Sequence, residues 1–133
     1  MSDNSNIYKI WGERRRMLLT KQCEIDLLYL KANTFSSKHN HKNKINRFYV
    51  IEGEVRIETE FGTKFLKKDQ SFEVRPPLIH RFYALRDSIM VELAYVEDGL
   101  IQPTDIQRFL QGGRYIEGRG NLTEDTLRKE GLL

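Results

Sequence analysis

The segment Val55–Glu60 alternates without a break: Val55, Ile57 and Thr59 point one way, and Arg56, Glu58 and Glu60 the other. A period of two belongs to a β-strand with one face on a core and the other in water. It is the clearest of a series of short strand-like segments closed by turns. Arg47–Ile51 is aromatic and β-branched and stops at the turn signal Glu52-Gly53-Glu54. Phe61-Gly62 turns Val55–Glu60 back into Lys64–Lys67 as a hairpin. Ser71–Val74 leads to Arg75-Pro76-Pro77, where a proline pair cannot donate to a ladder and marks an edge or loop. His80–Leu85 and Ile89–Val96 read as further strands, and Cys23–Leu30 is apolar enough to predict a strand buried on both faces. Such a series predicts an all-β sandwich or barrel and excludes a βαβ fold.

Helix signals come late. Thr104–Leu110 followed by Gly112-Gly113 predicts a short helix with a glycine C-cap. Thr123–Glu130 opens on Thr-Glu-Asp and closes on Arg128, Lys129 and Gly131, as capping and charge–dipole rules favour. The expected organisation is a barrel domain over residues 1–115 and a helical tail over 116–133, which suits a chain of 133 residues. The lone Cys23 cannot form an internal disulfide. The polar first residues lack the apolar core of a signal peptide, and no apolar run approaches the ~20 residues that span a bilayer. The expectation is a soluble, cytoplasmic protein with no membrane partner.

The net charge is +3 at pH 7, with positives clustered at Arg14-Arg15-Arg16 and at Lys38, Lys42, Lys44 and Arg47. The aromatic residues sit in alternating strand patterns where core packing accounts for them, so a nucleic-acid surface is not expected. These charges read first as a solvated rim and second as neighbours of a small anionic ligand. All three histidines of the chain, His39, His41 and His80, have the spacing of one metal cage. In a strand, His39 and His41 share a face with Cα atoms roughly 6.6 Å apart. His80 can close the site from a neighbouring strand with metal–nitrogen bonds of about 2.1 Å. The alternative is a solvated surface His-x-His.

These residues resemble the cupin family. The family's first motif runs His-x-His, a few residues, glutamate, six residues, glycine; here it is His39-Asn40-His41, Asn46 and Gly53. Its second motif runs Gly-Asp, Pro-x-Gly, two residues, histidine; here Asp69 to His80 keeps the spacing with the glycines replaced and Ala84 where an asparagine often stands. The resemblance implies a double-stranded β-helix, or jelly-roll barrel, with short C-terminal helices. Within the family the chain is most similar to the cupin domain of type II phosphomannose isomerases. That likeness runs over Trp11-Gly12, the histidine region, Pro77–Arg81, Met90–Leu93 and Thr104–Phe109.

The resemblance implies His39, His41 and His80 as metal ligands with Asn46 in the fourth place. The cofactor is then a divalent transition metal: zinc, iron, nickel or manganese. Where the family has glutamate, Asn46 offers a neutral carbonyl oxygen, so the site loses a negative charge and an internal base. Proton transfer then falls to another side chain, with Glu92 and Tyr49 the candidates. Arg47, Arg81 and Lys44 are the candidates for holding a phosphate. The function implied is that of a metal-binding, mannose-6-phosphate isomerase-like protein. Alternatives are a three-histidine ferrous oxygenase acting on a small organic molecule, and a non-catalytic sugar- or metabolite-binding cupin. A homodimer is expected, with Ile7–Ile10 available as an exchanged edge strand.

Overall fold

Most of the strands have one face that must leave water, and two antiparallel sheets cover those faces together. The computed structural model describes residues 7–133. Its strands are β1 (Ile7–Lys9), β2 (Gly12–Leu19), β3 (Cys23–Leu30), β4 (Thr34–Phe35), β5 (Lys38–Asn40), β6 (Ile45–Glu52) and β7 (Glu54–Thr59). There follow β8 (Gly62–Lys67), β9 (Ser71–Val74), β10 (His80–Ala84), β11 (Ser88–Tyr95), β12 (Gln107–Leu110), β13 (Gly113–Ile116), β14 (Gly120–Thr123) and the helix α1 (Glu124–Lys129). One sheet runs β1-β2-β3-β11-β6-β9. The other runs β12-β5-β10-β4-β13-β14, with β7 on β10 and β8 on β7.

The inner faces change character along the strands. Leu28 and Leu30 of β3, Phe48 and Val50 of β6, Val55 and Ile57 of β7, and Met90 of β11 are buried together in an apolar core. Two residues further along the same faces stand Asp26, Asn46 and Glu92. The registers Met90↔Leu28 and Glu92↔Asp26 place these steps side by side. One end of the barrel is therefore a packed core, and the other is polar. The β6–β7 turn needs Gly53 at a φ of +96°, where an added Cβ would meet Ser88 Oγ at 2.2 Å.

Two expectations are corrected. Only the inner residues of β3 are fully buried. Ile25, Leu27 and Tyr29 remain partly exposed on the outer face, because a sheet with one covered side needs apolar residues only at alternate positions. Thr104–Leu110 is not a helix: Gln107–Leu110 is a strand paired with β5, with Arg108 opposite His39. The segment has no buried stripe to hold a helix, since all four residues of β12 are exposed, while the open edge of β5 offers ladder partners. Gly113 is required by close packing and not by a helix cap, since a Cβ there would lie 1.9 Å from the Leu122 carbonyl oxygen.

The chain after residue 115 continues the barrel before it becomes helical. β13 pairs with both β4 and β14. Thr123 then caps α1 by accepting from the Thr126 amide, and Leu127 is buried beneath it. In this chain β1 folds back onto β2, with Ile7 opposite Arg14. No helix among the described residues is long and apolar enough to cross a membrane. Met90 has no exposed surface and touches the centre of the core. Met90→Ala is expected to lower stability by roughly 2–5 kcal/mol, read as a shifted urea midpoint with an unchanged slope.

Candidate metal centre

His39 and His80 are cross-strand partners in the β5–β10 ladder, so both rings project from the same side of the sheet. His41 lies two residues beyond His39 and keeps that side. The ring centroids are 4.6 Å apart for His39 and His80, 5.1 Å for His39 and His41, and 5.7 Å for His41 and His80. One nitrogen from each ring lies within 4.8 Å of the other two.

The other nitrogen of each ring is already committed. His39 Nδ1 donates to the Ser37 carbonyl at 3.0 Å, His41 Nδ1 to the Asp105 carbonyl at 2.7 Å, and His80 Nδ1 to the Leu78 carbonyl at 2.9 Å. These bonds put the proton on Nδ1 and leave Nε2 with a free lone pair. Burial, reinforced by the neighbouring rings, lowers His39 to about 3, and burial lowers His80 to about 4. His41 is lowered by the same cause. All three rings thus stay neutral, as ligation requires, at ordinary pH.

The buried Nε2 atoms of His41 and His80 have no hydrogen-bond partner, nor has the buried Oδ1 of Asn46. Acceptors left bare in a protein interior are costly, and a cation that takes up their lone pairs removes that cost. The donor set of imidazoles fits a divalent transition metal. Asn46 is 1% exposed and its amide Nδ2 donates to Glu92 Oε2 at 2.8 Å, which fixes its orientation.

Asp105 organises the loop between His41 and β6. Its carboxylate accepts from the amides of Lys42 (2.6 Å), Asn43 (3.0 Å) and Lys44 (3.0 Å) while its carbonyl orients His41. Burial alone would raise this carboxyl, but the three amides hold it below its ordinary value. The sequence reading assigned Asp105 no role. Its signal was slight: an acidic residue after Pro103-Thr104, of the kind that closes a turn by capping free amides.

The cage opens into a cavity of about 940 Å³ that also holds Glu92, Lys44, Arg14, Arg16, Glu24 and Asp26. Arg16 Nε donates to Asp26 at 2.6 Å in a largely buried pair. Burial, with the Asp26 charge adding to it, raises the Glu92 carboxyl to about 7.

The structure sorts the sequence candidates by strand parity. His39, His41, His80, Asn46, Glu92 and Lys44 gather at the polar end of the barrel. Arg47 and Tyr49 flank the inward Asn46 and Phe48 and so face outward. Arg47 donates to Ser71, and Tyr49 is 40% exposed and donates to Asp69 at 2.8 Å. Arg81 is turned away from His80, donates to Glu58 at 2.7 Å and stacks on Phe35. None of these three is among the residues lining the cavity. The arginine triplet is not simply a solvated rim. Arg15 lies outside over Tyr29, but Arg14 and Arg16 face inward.

Protein purified without added metal is expected to carry close to one transition-metal ion per chain, and His41→Ala to carry none, by elemental analysis. Absence from both would leave the cage without a cation. Asp105→Ala frees three amides and loosens the His41 carbonyl partner, so metal affinity is expected to fall about 10–100-fold in a competition titration against a chelator.

No protein-family model and no curated protein matches the sequence. Solved structures do resemble it. Ectoine synthase from P. lautus aligns with a TM-score of 0.63 at 20% identity, over 83% of this chain and 84% of that one. KdgF from Halomonas sp. aligns with a TM-score of 0.60 at 20% identity, over 65% of this chain and 79% of that one. Oxalate decarboxylase from Bacillus subtilis aligns with a TM-score of 0.67 at 19% identity over 81% of this chain, which spans only 31% of that longer chain. Likeness at such identities is a likeness of fold. The alternating strands, the antiparallel two-sheet barrel and the histidine trio at its polar end thus reach one conclusion: the chain folds as a cupin.

Proposed function

We propose that the protein is a metal-dependent cupin enzyme that moves a proton on a small oxygenated substrate, as an aldose–ketose isomerase of the mannose-6-phosphate type does. The observation that carries this reading is the placement of Glu92. A deep carboxyl, held by burial near the pKa useful for proton transfer at neutral pH, lines the same cavity as three neutral, pre-oriented imidazoles. His39, His41 and His80 would hold the metal, with the Asn46 amide oxygen available beside them. When bound, the metal supplies Lewis-acid polarisation of a carbonyl or hydroxyl.

The residues of the chain do the rest. Glu92 takes a proton from the carbon next to the carbonyl and returns one to the former carbonyl carbon, while a proton passes between the two oxygens. No oxidant enters and none is needed. The Asn46 amide, donating to Oε2, aims the carboxylate and leaves Oε1 for the substrate. Of the three cationic side chains expected at a phosphate, Lys44 alone lines the cavity and would contact it. A cavity of about 940 Å³ accommodates a hexose phosphate. The outer residues Ile25, Leu27, Val91 and Leu93 lie in cross-strand register on the uncovered side of the first sheet, which supports a homodimer formed through that face.

A second reading, a ferrous oxygenase, is favoured by the donor set. The cluster contains three imidazoles and, among the described residues, no carboxylate. It requires oxygen uptake with iron-loaded protein, which an isomerase does not show.

Glu92→Gln is expected to retain metal and to lower turnover of mannose 6-phosphate to fructose 6-phosphate about 10²–10⁴-fold in a coupled assay. Full turnover in E92Q would remove Glu92 from the chemistry. Ligand-induced thermal stabilisation with no turnover in the parent protein would leave a metabolite-binding cupin.

A further inference from the structure

The cavity contains a cation, Arg14, that forms no ion pair with any described acid, although its charge reaches Glu92. On β2 the inward positions are Arg14 and Arg16, with Arg15 between them on the outer face. Their registers differ by one inward step: Arg16 stands opposite Asp26 and Arg14 opposite Leu28. Arg16 is therefore answered by a carboxylate at 2.6 Å, whereas Arg14 has an apolar neighbour where the next acid would be. Among the described residues Arg14 forms no ion pair, and its Nε is buried without an acceptor. A guanidinium is charged at every accessible pH, and leaving it unpaired at a protein wall is expensive.

The surrounding charge does not supply the missing partner. Arg14, Lys44, Arg108 and Lys9 line the cavity beyond the closed Arg16–Asp26 pair. Against them stand Glu24, Glu92, which accepts from Asn46, and Glu124, which is paired with Arg128 at 3.1 Å. The excess of positive charge comes from Lys9 and Arg108 at the exposed rim, and among the described residues the only buried orphan donor is the Nε of Arg14. Nε and one terminal nitrogen of a guanidinium present two parallel N–H bonds, the fork that matches two oxygens of a carboxylate or phosphate.

We propose that Arg14 is the anion-binding residue of this cavity, holding the carboxylate or phosphate of a substrate whose reacting end faces the histidine cage. The assignment deepens the reading of the cavity as a substrate site, and it replaces the outward-facing Arg47 and Arg81 as the anion clamp. It restricts substrates to oxyanions small enough to lie wholly within the barrel mouth, since Arg14 stands beside the packed core at Leu28.

Trp11 is the only tryptophan of the chain and lines the same cavity, so its fluorescence reports occupancy. Malonate and inorganic phosphate are titrated, at constant ionic strength, into chelator-treated full-length protein. The expected result is saturable binding of at least one anion, with affinity at least about tenfold weaker in Arg14→Gln and intermediate in Arg14→Lys, which keeps the charge but loses the fork. Preference for malonate identifies a carboxylate ligand, and preference for phosphate a phosphoryl one. Equal affinities in R14Q and parent protein, or no saturable binding of either anion to the parent, would overturn the proposal. Should R14Q not fold, unchanged affinity in R14K overturns it just as well. Metal is absent from this titration and no turnover is read, so failure of the isomerase reading leaves the outcome intact.

Discussion

The register between β5 and β10 is the constraint on which the site depends. Because His39 and His80 are directly paired, their rings must leave the same side of the sheet within a few ångströms of each other, whatever the loops do. A slip of one residue would turn His80 outward and bring Arg81 in. What resists the slip is packing elsewhere on β10: Phe82 and Ala84 are in the core, Trp11 stacks edge-on to Phe82 at 5.2 Å, and Ile57 of β7 lies opposite Phe82. The apolar half of the barrel thus sets the geometry of the polar half.

The polar half carries costs that the core offsets. Asp26, Asn46, His41 and His80 are all nearly inaccessible, and each would destabilise the fold if left without a partner. Two kinds of answer appear. Asp26 is met by Arg16, and each imidazole gives its Nδ1 proton to a backbone carbonyl. The atoms left over, Nε2 of His41 and His80 and Oδ1 of Asn46, are all acceptors, whereas the leftover at Arg14 is a donor. Bare acceptors call for a cation and a bare donor for an anion. A metal ion in the cage, together with a substrate that has an oxyanion at one end and a metal-binding carbonyl or hydroxyl at the other, would answer both.

Much of the fold was legible because period two is a direct consequence of the pleat. Val55–Glu60 and Ser71–Val74 need only alternation and a turn to be placed, and the Thr123 cap of α1 is a local matter. The histidine cage was legible because two residues apart on a strand is the same face. What was not read was available in the same rule. If Asn46 points inward, Arg47 and Tyr49 on either side of Phe48 cannot, so a ligand role for the first and site roles for the others were incompatible. Arg14-x-Arg16 and Glu24-x-Asp26 carry charges at strand spacing on either side of a turn, a pattern that a solvated face produces as readily as a polar interior and that only the register of β2 and β3 assigns to the inside. Thr104–Leu110 could not be read locally: its helical propensity is outweighed by the open edge of β5, about 70 positions away in the chain, and no local signal encodes that edge.

Asn46 stands where the cupin motif that the chain resembles has a ligand glutamate, and under the proposed function this would divide labour within the barrel. A glutamate at that position would bring charge to the cage and serve as its own base. The amide does neither, but its Nδ2 donates to Glu92, one strand away, and so ties a carboxylate to the site without placing it among the imidazoles. That carboxylate sits between the inward Met90 and Ala94, where burial raises its pKa in a way a metal-bound carboxylate could not show. On the proposed function, separating the ligands from the proton-transfer group would let the cation be exchanged without altering the base, and the base be removed without emptying the cage.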